Sequence, residues 1–111
     1  MKKGIGIDLV EIKRLKSAID KWGDDFLNRV FTKHEIEYSM DKRFPYQHLA
    51  ARFAAKEAIM KAFGTGQVSF KDIEIINDKF GKPSCKIHNK KNKVYLSITH
   101  TDKYAVASAI I

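Results

Sequence analysis

The stretch Arg52-Phe53-Ala54-Ala55-Lys56-Glu57-Ala58-Ile59-Met60-Lys61-Ala62-Phe63-Gly64 sets four charged side chains in a segment otherwise built from residues that are usually buried. A charge carried into a core is costly unless a partner compensates it, so the fold has to be built around this stretch. Read outward, it predicts one helix from Pro45 to Phe63. Proline stands at a first-turn position, no later proline interrupts, the interior is rich in alanine, and Gly64 supplies the stop. At about 100° per residue, Leu49, Ala51, Phe53, Ala55, Ala58, Ile59, Met60 and Phe63 point nearly all the way round, as in a helix that belongs inside a core.

The charges fall in two stripes, Arg52 with Lys56 and Glu57 with Lys61, each an i, i+4 pair on one face. Ala50 and Ala54 lie beside the second stripe and leave Glu57 and Lys61 reachable by something larger than water. Two readings stay open: an ordinary helix pair worth a few tenths of a kcal/mol, or a pairing completed by a bound ligand or metal. On the helix alone the ordinary pair is preferred, because structural ion pairs outnumber catalytic ones.

The N-terminal segment alternates, with Ile5, Ile7 and Leu9 on one face and Gly4, Gly6, Asp8 and Val10 on the other, a strand with one glycine-lined side. Glycines there permit close approach of a ligand or of a packed helix. From Glu11 to Trp22 the apolar residues Ile12, Leu15, Ile19 and Trp22 mark one helical face and leave Lys13, Arg14, Lys16 and Lys21 on a basic surface. Thr32-Lys33-His34-Glu35 fits a capping box opening a short helix through about Met40.

After Gly64-Thr65-Gly66 the period changes to strands near 72–76, 84–88, 94–99 and 104–110, with turns at 77–83 and 100–103 joining two pairs as hairpins. A strand, several helices and then a meander predict an α+β fold of one domain over residues 1–111, its mainly antiparallel sheet packed against the long helix and the shorter ones.

The formal net charge of +8 and pI near 9.6 imply an anionic partner without saying which. Six lysines and no acid between Lys79 and Lys93 fit solvated hairpin loops. No apolar run approaches the roughly 18 residues of a membrane span, and Asp8 interrupts any signal-peptide core, so the expectation is a cytoplasmic protein. Cys85 is the single cysteine, which excludes an internal disulfide or a thiolate cluster.

Asp8 and Glu57 each sit at an otherwise apolar or small-residue location, 49 positions apart. Should folding bring them together they would need a cation, and a hard, oxygen-ligating ion such as Mg²⁺ suits one or two carboxylates completed by waters and phosphates. Lys61 could then hold a phosphate oxygen. His34, His48, His88 and His100 show no zinc spacing. Gly64-Thr65-Gly66 lacks the spacing of a P-loop and follows a helix instead of preceding one. His100 sits at a hairpin tip, where Thr99 and Thr101 offer hydroxyl donors.

Four pieces, Gly4-Ile5-Gly6-Ile7-Asp8 followed by Arg14, the stretch 52–64, Gly81-Lys82-Pro83, and Ser97-Ile98-Thr99-His100-Thr101, occur in an order and separation that closely resembles the holo-[acyl-carrier-protein] synthases, the short class of 4′-phosphopantetheinyl transferases. The resemblance runs nearly end to end, although the chain is one residue longer than the usual pattern around 16–25. It implies the 4′-phosphopantetheinyl transferase fold and transfer of the phosphopantetheine arm of coenzyme A to a serine of apo acyl carrier protein, a step that serves fatty acid biosynthesis and releases adenosine 3′,5′-bisphosphate.

By the same resemblance Asp8 and Glu57 would hold Mg²⁺, Lys61 would bind a phosphate oxygen, and Glu57 would act as base, directly or through a metal-bound water. His100, Thr101, Arg52, Arg43, Gly64 and Pro83 would contact the coenzyme. Arg14, Lys21 and Phe26 would meet the acidic helix of the carrier protein. Short members form homotrimers with the coenzyme cleft between adjacent subunits, so an oligomer is expected. A basic nucleic-acid-binding module is the main rival, yet no stacking-aromatic or DNA-reading motif is present and Glu57 would go unexplained. A non-enzymatic assembly protein would account for the apolar end at Ile110 and Ile111 but not for Asp8 and Glu57.

Overall fold

The computed structural model describes residues 3–111, in the order β1 (Ile5–Glu11), α1 (Ile12–Trp22), α2 (Asp24–Val30), α3 (Lys33–Met40), α4 (Pro45–Phe63), a 3₁₀ turn (Phe70–Asp72), β2 (Ile73–Asn77), β3 (Pro83–Ile87), β4 (Tyr95–His100) and β5 (Tyr104–Ile110). Helix α4 spans the predicted residues, with Pro45 in the first turn and the Gly64 N–H returning to the Met60 carbonyl at 3.0 Å. The capping box of α3 forms as read: the Glu35 N–H donates to Thr32 Oγ1 and the Thr32 N–H to Glu35 Oε1. Helix α2 was not expected. Gly23 at φ 57° breaks the chain between α1 and α2, and Asp24 and Asp25 then open the new helix at its positive end.

Two antiparallel sheets result, a three-stranded one in the order β1-β5-β4 and the hairpin β2-β3. Asp8 lies opposite Ala107, and Ala107 opposite Ile98. The glycine side of β1 faces α4. A Cβ at Gly4 would stand 1.9 Å from the Ala62 carbonyl oxygen, and one at Gly6 1.9 Å from that of Ala58. Glycines on the strand, alanines on β5 and alanines on the helix therefore let backbone pack nearly against backbone, and Ala54, Ala55 and Ala58 are wholly buried there. Of the two uses open to those glycines, strand-on-helix packing is the one observed.

The opposite side of β1 is open, with Ile5, Ile7 and Leu9 at 72, 63 and 62% exposure. Tyr95, Tyr104 and Ile110 continue this apolar face across β4 and β5. The core lies on the other side of the sheet, where Phe31, Leu49, Ile59, Ile73 and Ile75 are essentially inaccessible, each contributing about 1.5–3 kcal/mol through burial. Trp22, expected on the apolar face of α1, lies instead largely in solvent with the Lys21 ammonium 4.9 Å from its ring centroid.

Two of the four charges in the deciding stretch meet partners within the chain. Lys56 is fully buried against Glu35, with Nζ to Oε1 at 2.6 Å. Arg52 donates to the His48 carbonyl at 3.1 Å and to the Asn77 side chain, and its guanidinium lies 4.3 Å over the Tyr38 ring. Lys56 is thus matched by a carboxylate, whereas Arg52 has a carbonyl, an amide and a ring as partners, and its buried Nε has no hydrogen bond among the described residues.

Candidate active site

The close approach of β1 to α4 brings Asp8, two residues beyond Gly6, to the edge of the helix where Glu57 and Lys61 emerge. The Lys61 ammonium donates to Asp8 Oδ1 at 3.0 Å and to the Ile7 carbonyl at 3.0 Å. Its observed ion pair is thus with Asp8, across 53 positions, and not with Glu57 one turn earlier. Among the described residues Glu57 has no ion-pair partner. Burial first, and then the Asp8 carboxylate, push the Glu57 carboxyl above its ordinary value, while Lys61 opposes them.

Asp8 and Glu57 open into a cleft of about 330 Å³ lined also by Arg14, Leu15, Ala18, Phe26 and Phe53. The aromatic wall is ordered. Phe26 and Phe53 stack with ring centroids 6.4 Å apart, and Phe53 and Phe70 with centroids 5.4 Å apart. Around the far side of Lys61 a second hollow of about 400 Å³ is lined by Met60, Gly64, Thr65, Gly66 and Val68. The site is therefore a pair of neighbouring carboxylates and an ammonium between two cavities.

This donor set suits a hard divalent cation. Two carboxylates share one half-buried location, with the single Lys61 ammonium bonded to one of them, so positive charge is undersupplied there. The described residues hold no cluster of three or more His, Cys, Asp or Glu side chains, and a site of one or two carboxylates completed by waters and phosphate oxygens is the arrangement Mg²⁺ accepts.

The other predicted coenzyme contacts gather elsewhere. Arg52 reaches Asn77, which pairs with Pro83 in the β2-β3 register and donates to the Gly81 carbonyl at 3.0 Å. Arg43 lines a cavity of about 580 Å³ with Asp102 and Lys103, beside the turn that carries His100 and Thr101. Thr101 Oγ1 accepts the N–H groups of Lys103 and Tyr104, each at 3.1 Å, which leaves its own hydroxyl proton free to donate outward. Burial, followed by Arg52, Lys42 and His100, holds the His48 imidazole below its ordinary value. Asp8 and Glu57 line one hollow and Lys61 and Gly64 the next, and none of Arg52, Pro83, Arg43, His100 and Thr101 lines either.

Of the residues predicted to dock a carrier, Arg14 and Phe26 line the Glu57 cleft, whereas Lys21 does not. Phe53 and His48 were missed by the sequence reading. Phe53 looked like core in an all-round apolar helix, and His48 had no metal spacing to single it out.

The chain belongs to the 4′-phosphopantetheinyl transferase superfamily, whose family model matches residues 4–109, and within it to the holo-[acyl-carrier-protein] synthases. It is 43% identical to the holo-[acyl-carrier-protein] synthase of Halothermothrix orenii over 121 residues, covering 99% of this chain and 97% of that one. It is 44% identical to that of Thermodesulfovibrio yellowstonii over 112 residues, covering 100 and 99%. The crystal structure of the Bacillus anthracis synthase in complex with CoA (3′,5′-ADP) superposes with a TM-score of 0.85 at 41% identity, covering 96% of this chain and 93% of that one.

Proposed function

We infer that this chain transfers the 4′-phosphopantetheine arm of coenzyme A to a serine of apo acyl carrier protein, giving holo carrier protein and adenosine 3′,5′-bisphosphate. The observation that carries the reading is the meeting of Asp8, Glu57 and Lys61 at the mouth of a cleft walled by Arg14 and Phe26, in a chain of this family. A serine presented by a carrier in that cleft faces the one carboxylate of the pair that has no ammonium on it.

Glu57 takes the hydroxyl proton as the serine oxygen bonds to the β-phosphorus of the coenzyme, and the bond from that phosphorus to the bridging oxygen breaks. The leaving bisphosphate carries away the negative charge. Lys61, whose half-exposed ammonium lies beside Asp8, stabilises the charge that gathers on the departing phosphate oxygen. Asp8 and Glu57 would hold a divalent cation such as Mg²⁺, which when bound neutralises pyrophosphate charge. Positioning by fixed groups then supplies the rest of the acceleration.

The active assembly is a homotrimer in which one protomer's Asp8, Glu57, Lys61 and Gly64 face a neighbour's Arg52, Pro83, Arg43, His100 and Thr101. The exposed apolar face of Ile5, Ile7, Leu9, Tyr95 and Ile110 supports this, since so continuous a patch on a monomer marks an interaction surface. Among the described residues no helix is long and apolar enough to cross a membrane, and the enzyme is assigned to the cytoplasm, beside its two soluble substrates. Incubation with coenzyme A, Mg²⁺ and apo acyl carrier protein, followed by intact mass spectrometry, should show the carrier gain one arm. A carrier of unchanged mass, alongside an active control enzyme, rejects the reading.

A further inference from the structure

Lys56 neighbours Glu57 in sequence but points the other way, into the protein, where its three ammonium hydrogens each find an acceptor. Glu35 Oε1 lies at 2.6 Å, the Val30 carbonyl at 2.8 Å and the Phe70 carbonyl at 3.1 Å. The three acceptors belong to different elements: the first turn of α3, the last residue of α2, and the first residue of the 3₁₀ turn. Glu35 is held in turn by the N–H groups of Thr32 at 2.8 Å and Ile75 at 2.7 Å.

Two of those elements carry the outer rings of the aromatic stack. Phe26 comes from α2 and Phe70 from the 3₁₀ turn, and both pack on Phe53, which sits on α4 one turn before Lys56. One ammonium therefore ties down the backbone on both sides of a three-ring wall whose middle ring shares its helix. Lys71 adds a second tie, donating to the Asn28 carbonyl at 2.9 Å and the Phe31 carbonyl at 3.1 Å, so two lysines close the C-terminal end of α2. Phe26 and Phe53 line the cleft that Glu57 opens into.

We propose that Lys56, with Lys71 as its second tie, is a positioning residue for the transfer: it sets the spacing of the Phe26–Phe53–Phe70 wall from Glu57, so that a carrier segment packed on that wall delivers its serine to the carboxylate. This rests on the reading of Phe26 as a carrier contact, which Phe26→Ala tests separately. A pair needed only to fill the core could be exchanged for uncharged side chains of similar volume at little cost in stability, and turnover by the refilled protein would then be normal.

The experiment is steady-state kinetics with coenzyme A and apo acyl carrier protein on Phe26→Ala, Lys71→Met and the double variant Glu35→Gln/Lys56→Met, with folding checked by circular dichroism. Lys71→Met, a surface change that leaves the buried pair intact, should raise the carrier KM about three-fold and the double variant about ten-fold or more, with the coenzyme KM within about two-fold of wild type. A wild-type carrier KM in Lys71→Met, or in a folded double variant, overturns the proposal. If the double variant does not fold, Lys71→Met decides alone. An unchanged carrier KM in Phe26→Ala rejects the docking reading and the positioning role with it, whereas a raised one beside a normal Lys71→Met rejects the positioning role alone.

Discussion

The Lys61 ammonium stands 3.0 Å from Asp8 Oδ1 and 3.0 Å from the Ile7 carbonyl, tying the last turn of α4 to the middle of β1. Because Lys61 is half exposed, such a pair is worth at most about 1 kcal/mol of stability. Its loss should be felt in turnover instead. Lys61→Ala is expected to lower kcat by about 100-fold or more, the scale of removing one preorganised charge partner. The melting temperature should move little. Calorimetry and initial rates on the same sample separate the two effects, and a large fall in stability with near-normal kcat would reassign Lys61 to the fold.

Glu57 gives a pH dependence whose sign can be worked out. Burial and Asp8 raise its folded-state affinity for a proton, so the ionised form opposes folding. The protonated form's contribution to stability is complete below the ordinary glutamate value of about 4.3 and is lost as pH rises through the higher folded value. In EDTA, Glu57→Gln should therefore be more thermostable than wild type at pH 7, with the gap closing toward pH 4. Thermal scans across that range check it; a wild type at least as stable as the variant at pH 7 contradicts the assignment.

If Asp8 and Glu57 hold the cation, Mg²⁺ binds the folded state and stabilises it by mass action. Wild-type protein is expected to melt at a higher temperature in millimolar Mg²⁺ than in EDTA. Asp8→Ala should remain folded, show no such shift and lack turnover. An equal shift in both proteins would place the ion elsewhere.

Gly6→Ala tests the packing that presents Asp8. The added Cβ would meet the Ala58 carbonyl oxygen at 1.9 Å, a contact with backbone that no rotamer relieves. A loss of about 3 kcal/mol or more is expected, at the upper end of overpacking costs, measurable by urea unfolding. An unchanged midpoint would mean that the strand can back away from the helix freely.

In the proposed homotrimer Glu57 and His100 serve one site from different protomers, so Glu57→Ala and His100→Ala should each be inactive alone. Unfolded together and refolded as a random mixture, they should recover about a quarter of wild-type activity, since each site of a cyclic assembly then has one chance in four of drawing both intact halves from neighbours. A mixture as inactive as its parents would show that each chain builds its site alone.

How much of this was legible depends on whether the deciding physics is local. Helix α4 is bounded by Pro45 and Gly64, and α3 begins at a capping box closed within four residues, so both could be read to within a residue. Helix α2 has seven residues and one buried side chain, too few for an apolar period to show. Which side of β1 faces inward is undetermined by alternation alone; the Ala58 and Ala62 backbone settles it by excluding any Cβ at Gly4 and Gly6. Lys56 had no account in sequence because its partner already had one. Glu35 reads as a capping residue, and only folding shows the same carboxylate meeting a lysine 21 positions away. The proximity of Asp8 to Glu57 and Lys61 is likewise a product of strand-on-helix packing, visible in advance only through the family pattern.

The solitary thiol offers a last consequence. Cys85 lies on β3 opposite Ile75, and burial pushes it up to about 11. The reactive thiolate is thereby suppressed at pH 7, so alkylating reagents should label the folded chain more slowly than the unfolded one. The ratio of the labelling rates of the folded and the urea-unfolded chain therefore reads out how far the β2-β3 hairpin shelters Cys85, with no label engineered in.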